Sequence, residues 1–348
     1  MVPPTIKNIS ETELFIKYKS SYTSAFTDYS INIFLLITGH YILYRLKNNI
    51  FVYLFIPVMS LLNIKTFMSL HDCGHGSYTP NKTLNYIIGT FSGIITCTSS
   101  FNWCLDHHTH HLTAGAINNS YNYAFNETTR LKLSDYKSTS PIKKKLYKII
   151  LHPCVKFCLE PLVYYGLIQR FIYIIKKLKY KHKINESMLV IVFNHIINDC
   201  GIFVLLIMTN KIGTMSLFIM YIYISHIIGF LLFHNQHTFN PPYIVDWKEF
   251  NQRDSGLIGS SFILIPKYLK YFFGGIEYHH IHHMNSKIPG YNLHKYHEEV
   301  VGKSNMFVNV VKLSMTDCYN NLWLVSYDEE KKKYITFAEA DKEIRKVY

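Results

Sequence analysis

Four apolar stretches, arranged as two closely spaced pairs, limit this chain more than any other feature. The first pair is roughly 29–46 (YSINIFLLITGHYILYRL) and 50–70 (IFVYLFIPVMSLLNIKTFMSL), separated by little more than Lys47, Asn48 and Asn49. The second pair is roughly 188–208 and 212–233, parted by a turn at 209–213. Each stretch approaches the ~20 residues that cross a bilayer at a helical rise of about 1.5 Å per residue. The expected fold class is therefore an all-α integral membrane protein with four transmembrane helices in two hairpins. Both chain ends and the long middle segment then share one side of the membrane.

Charge sets the orientation. Between Arg130 and Lys183 there are fourteen Lys or Arg, whereas the inter-helix turns carry only Lys47 and Lys211. By the positive-inside rule the middle segment and both termini are cytosolic. Two further apolar stretches, 84–101 and 148–175, are long enough to cross, but a single crossing would part the histidine clusters described below. Both are read as interfacial helices, the second one interrupted by Lys156, Glu160 and Arg170. The working division is a cytosolic segment over 1–28, a membrane domain over 29–302 and a soluble tail over 303–348 that packs on the cytosolic cap. Residues 1–28 lack the regions of a cleaved signal peptide, so targeting is expected to rest on the first spanning helix.

Composition agrees with a membrane protein that has sizeable wet loops: 49% of residues are hydrophobic and mean hydropathy is +0.05. The 36 Lys and Arg exceed the 23 Asp and Glu. No zinc-finger, RRM or basic-helix signature accompanies that excess, so an anionic membrane surface, and not nucleic acid, is the expected partner. Seven scattered cysteines suggest neither a disulfide framework nor a thiolate metal site.

Nineteen histidines are present, and their placement matters more than their number. His71 and His75 stand in HDCGH directly after the second apolar stretch. His107, His110 and His111 stand in HHTHH, and His279, His282 and His283 in HHIHH. Residues three and four apart share a helix face, so these spacings offer two, three and three imidazoles to a ligand. Eight imidazoles exceed the coordination of one ion, so two metals are the economical solution. Imidazole suits iron, zinc and copper alike, and spacing alone leaves the element open.

HDCGHGS at 71–77, WCLDHHTHH at 103–111, FHNQHTF at 233–239 and GGIEYHHIHHMNSKIPGYNLHKYHEE at 274–299 together resemble the membrane fatty acid desaturases. The chain looks closest to the acyl-lipid omega-6 (delta-12) branch, which makes linoleoyl from oleoyl groups. GSS at 259–261 and LWLVSYDEEKKKYITF at 322–337 extend the likeness, which covers roughly residues 50–337. The resemblance implies an oxygen-dependent acyl-lipid desaturase with two iron ions held by the eight box histidines and by His237. Around them His234, Asp72, Asp106, Asn292 and His297 are expected to orient ligating rings. His108 and His280 fall at variable box positions. Tyr78, Trp103, Phe239 and Tyr278 are expected beside the mouth of an apolar acyl tunnel. An unactivated methylene is not acidic, so the reaction needs a metal-bound oxidant and not a side-chain base. The resemblance further implies dioxygen as co-substrate and an external donor, cytochrome b5 or ferredoxin with its reductase. The chain lacks the HPGG haem signature, so the donor is a separate protein. In a eukaryote the implied location is the endoplasmic reticulum.

Polar residues inside the third and fourth apolar stretches need an account of their own: Asn194, His195, Asn198, Asp199 and His226. Counted from the turn at 210–212, His195 lies ~22 Å deep, Asp199 ~16 Å and His226 ~21 Å. A contact of His226 with Asp199 or His195 is expected to lock the hairpin. Competing functions are a membrane di-iron hydroxylase, an omega-3 desaturase, and, from another class, a zinc-binding transporter or receptor.

Overall fold

A computed structural model describes residues 11–117, 131–172, 174–175, 178 and 187–345. Residues 1–10, Arg130 and the lysines at 176, 177, 179, 181 and 183, which carried part of the targeting and orientation readings, lie outside the described residues.

The chain is built from helices. After α1 (Glu11–Tyr18) comes α2 (Tyr22–Leu46), started by Ser21, whose side chain accepts from Ser24 N. A 3-10 turn (Ile50–Phe55) leads into α3 (Ile56–Gly74), where Pro57 in the first turn removes a donor that would have no helical partner. Then follow α4 (Lys82–Ile95), α5 (Ser100–Thr113), α6 (Leu133–Ser138), α7 (Pro141–Ile150) and α8 (Pro153–Val163), which runs on as a π-helix over Tyr164–Ile172. The second long pair is α9 (Met188–Lys211) and α10 (Met215–His237), turned at Gly213, whose φ of 73° suits glycine. Shorter helices follow: α11 (Gln252–Leu257), α12 (Lys270–Phe273), α13 (His279–Met284), α14 (Gly290–Lys303), α15 (Met315–Asn321) and α16 (Phe337–Arg345).

Among the described residues three helical segments are long and apolar enough to cross a membrane: Ile50–Gly74, Met188–Lys211 and Met215–His237. Their outward side chains are those a lipid phase would accept, with Leu189 82% and Phe203 64% exposed on α9. The stretch at 29–46 also lies in one helix, α2, which starts earlier at Tyr22 and packs on α3. Leu36, Leu43, Met59, Leu62, Phe218 and Tyr221 interlock α2, α3 and α10 in one apolar core. Gly39 belongs to that contact, since a Cβ there would stand 2.3 Å from the Met59 sulfur.

The two ambiguous stretches are broken. The fourteen residues of α4 rise only ~21 Å, short of the ~30 Å hydrocarbon core, before a turn at Thr96–Ser99 starts α5. The other is split at Leu151–His152, where α8 begins.

The tail is not helical throughout. Ser326–Asp328 pairs antiparallel with Lys333–Ile335 and parallel with Leu131–Lys132. Behind this small sheet Leu133, Tyr136, Ile335 and Ala340 form a separate apolar cluster.

Candidate metal centre

The centre is assembled from helix ends. His71 lies in the last turn of α3 with His75 at its C-cap; His110 and His111 lie in the last turn of α5 and His237 in that of α10. His282 and His283 close α13. A helix C-terminus carries partial negative charge, so several such ends meeting at one point favour cations there.

Two groups result. In His71, His75, His107 and His282 the ligand atoms all lie within 4.8 Å of one another, and so do those of His110, His237, His279 and His283. His111 joins the first group: its Nε2 stands 3.1 Å from His107 Nε2 and 2.9 Å from His282 Nε2. In the second group His110 Nε2 is 3.1 Å from both His237 and His283 Nε2, and His237 Nε2 is 2.9 Å from His279 Nε2. All nine expected ligands are thus together.

These distances fit ions better than hydrogen bonds. A neutral imidazole brings one donor and one acceptor, so a whole ring of converging Nε2 atoms has too few protons to bond pairwise. Nitrogens at right angles on one ion, with bonds of about 2.1 Å, stand ~3.0 Å apart. Burial holds the imidazoles of His75, His107, His111, His279, His282 and His283 well below the ordinary histidine value, and neighbouring rings push the same way. Neutral rings are ready to ligate.

Outer hydrogen bonds aim two of the rings. His71 Nδ1 donates to Asp72 Oδ1 at 2.9 Å, and Asp72 Oδ2 accepts from Gly290 N at 2.6 Å. His237 Nδ1 donates to the Gly259 carbonyl at 3.0 Å. Each bond places the proton on Nδ1 and leaves Nε2 facing inward. Gly290 is required for the approach, because a Cβ there would stand 2.0 Å from the Gly274 carbonyl. In the sequence the signal for Gly259 is only the GSS string, and for Gly290 the Pro289–Gly290 pair that shapes the segment after HHIHH; neither announces the partner it meets.

The other expected orienting residues are placed differently. Asp106 is buried on α5. His234 donates from Nε2 to Asn321 O at 2.9 Å, and its Nδ1 faces Lys156 Nζ at 3.3 Å. Asn292 donates to Tyr18 O, tying α14 to α1, and the His297 ring stacks on Phe307. Neither lies in the two groups. His280 packs edge-on against Phe307 with both faces buried, and His108 is exposed.

A cavity of about 1470 Å³, counting its open side, passes the centre at His71, His107, His237 and His279. Phe67, Met68, Tyr164, Phe230 and Phe233 make its apolar wall. Asn63, Thr96, Ser225 and His226 also line it, as do Lys156, Glu160, Leu324 and Tyr334. Trp103 is part of the wall and stacks on His107 with centroids 4.3 Å apart. The other three expected tunnel residues are packed away from it. Tyr78 is buried and donates to Asp28, Phe239 is 1% exposed, and the Tyr278 hydroxyl lies between Lys270 and His294.

The expected lock between His226 and Asp199 or His195 is not made, which corrects that reading. His226 Nε2 donates to Thr96 O at 2.9 Å and its ring stacks on Tyr165 at 3.8 Å. Asp199 pairs with Arg170 of the π-helix and with His195 one turn earlier. Depth counting put these groups at one level but could not include the π-helix, which supplies the cation. Arg170 also donates to Cys97 O and Asn198 Oδ1, and Asn198 Nδ2 donates to Thr98 O at 2.9 Å. Gln169 Oε1 accepts from Ser99 N. The polar residues of α9 and α10 thus hold the turn from which α5 departs.

The fatty acid desaturase family model matches residues 48–310. A fatty acid desaturase of Bacillus subtilis is 27% identical over 276 residues, 78% of this chain and 74% of that protein. An sn-1 acyl-lipid omega-3 desaturase (ferredoxin) of Synechocystis is 38% identical over 86 residues, 24% of this chain and 23% of its own length. A protein of the same description from Nostoc is 27% identical over 124 residues, 34% of each chain.

Proposed function

Because the chain belongs to the fatty acid desaturase family, and is thereby an oxidoreductase acting on fatty acids, we propose that it introduces a cis double bond into a membrane-lipid acyl chain at a di-iron centre. The observation that carries this reading is the convergence of nine imidazole nitrogens in two groups, with His71, His107, His237 and His279 among them lining a cavity whose wall is largely apolar. His71, His75, His107, His111 and His282 would hold one ion, and His110, His237, His279 and His283 the other. When bound, the pair supplies, with dioxygen and two external reducing equivalents, the oxidising power that removes two vicinal hydrogens.

The chain's own residues do the positioning. Asp72 and the Gly259 carbonyl retain protons on Nδ1 of His71 and His237, so that both rings present a lone pair. Phe67, Phe230, Phe233 and Trp103 exclude water and confine the acyl chain beside the histidines. Lys156 and Glu160 offer polar contacts to the lipid headgroup. The electron donor in this reading is cytochrome b5 or a ferredoxin with its reductase, the latter in keeping with the names of the Synechocystis and Nostoc relatives.

In the topology proposed, α2 is a fourth span beside the three apolar helices, with both termini and the histidine cap on the cytosolic face. The membrane domain runs over 29–302, between an N-terminal segment (1–28) and a tail (303–348) that packs on the cap. In a eukaryote the location is the endoplasmic reticulum. The sequence motifs favour oleoyl to linoleoyl conversion (delta-12, omega-6), whereas the names of the Synechocystis and Nostoc relatives favour the omega-3 position.

The test is expression in a host supplied with oleate and linoleate, with methyl esters analysed for bond position and the purified protein assayed for iron. Two irons per chain and a new diene or triene are expected, and His110→Ala is expected to lose both. Turnover retained in that variant would contradict the ligand assignment.

A further inference from the structure

Helix α7 docks the wrong way round for a soluble protein. At 100° per residue Ile142, Leu146, Ile149 and Ile150 fall within an arc of about 100°. They are 83%, 52%, 52% and 49% exposed. Its polar stripe faces the protein instead: Lys148 pairs with Asp341 at 2.6 Å, Lys144 donates to Lys137 O at 3.0 Å, and Tyr147 packs beside Tyr136 and Ile335. Lys143 and Lys145, both exposed, border the apolar arc on either side. The apolar surface continues along the chain through Leu159 and Leu162 of α8 to Leu167 and Phe171 of the π-helix.

An outward apolar stripe flanked by two free cations has the chemistry of a helix lying in a bilayer interface, with lysine stems along the acyl boundary and ammonium groups at the phosphates. We propose that α7 is an interfacial anchor selective for anionic phospholipid, held by Lys143 and Lys145. Two observations favour a membrane as the occupant over a second copy of the chain. The apolar run continues through α8, which packs directly on α10, a helix able to cross a bilayer. The border is basic on both sides, so two copies meeting face to face would bring like charges together, whereas an anionic leaflet complements them.

The anchor also bears on the cavity. Leu151, Lys156 and Phe157, at and just after the α7–α8 junction, belong to its wall, so seating α7 fixes that wall relative to the headgroups. This inference rests on the membrane-embedded reading but not on the oxidation chemistry, and its test reads no product.

The full chain is placed in nanodiscs of phosphatidylcholine alone, or of phosphatidylcholine mixed with phosphatidylglycerol, and hydrogen exchange is followed at residues 142–150. Adding the anionic lipid is expected to slow exchange there roughly tenfold. The double variant Lys143→Glu/Lys145→Glu is expected to abolish the slowing while exchange in α5 stays as in the parent, which reports an intact fold. Equal exchange of the parent protein in both discs would overturn the proposal. So would protection in detergent that rises with protein concentration, which would assign the face to a second copy.

Discussion

A single carboxylate does two jobs at the edge of the centre. Asp72 accepts a hydrogen bond from His71 Nδ1 through one oxygen and from the Gly290 amide through the other, linking the first histidine motif to the segment after the third across 218 residues. Asp72→Ala is expected to lower metal affinity about 10–100-fold, as loss of a ligand-orienting partner does elsewhere. Competition with a chelator measures this, and an unchanged affinity would contradict the orienting role. The histidines themselves were legible because three- and four-residue spacing on a helix is a local property. Asp72 was legible as an orienting residue, but its second partner was not, since nothing local announces that Gly290 lies against it. Asn292 and His297 show the converse: residues next to a motif in sequence, turned by α14 toward α1 and Phe307.

At the scale of elements, the long helices were readable from hydrophobic length, because a bilayer-sized apolar run has few other uses. The turn at Thr96–Ser99 was not, because its geometry is imposed by partners on three other elements. Asn198 donates to Thr98 O, Arg170 to Cys97 O, and His226 to Thr96 O. Since α5 begins at Ser100 and carries three of the nine histidines, loosening this turn should reach the centre. Asn198→Leu leaves a buried carbonyl without its donor and is expected to destabilise the protein by about 1–3 kcal/mol. A fall in bound metal should accompany it. Thermal unfolding in detergent with parallel metal analysis checks this, and full metal content at unchanged stability would refute the coupling. The C-terminal hairpin escaped sequence reading for a related reason: its strands are three residues each, and a third strand from far upstream, at Leu131–Lys132, completes the sheet.

For the whole molecule, the centre ties together α3, α5, α10 and α13, so its occupancy is part of the fold's stability. Chelation is expected to lower the unfolding temperature by at least about 5 °C, because an ion bound only by the folded state stabilises it. The stripped protein should also weaken as pH falls below about 6.5. Its buried imidazoles resist protons that the unfolded chain accepts, so the unfolded state binds more protons in that window and gains from acid. Melting the apo form at pH 7.5 and 5.5 tests the sign, and greater stability at the lower pH would refute it. His111 adds a last consequence. Its Nε2 belongs with the first group, yet its ring lies flat on His283 of the second, 4.1 Å away. Seating one ion therefore stiffens the seat of its neighbour. Uptake should be cooperative, and a cell short of the metal would hold a mixture of empty and fully charged molecules with few half-loaded ones between them.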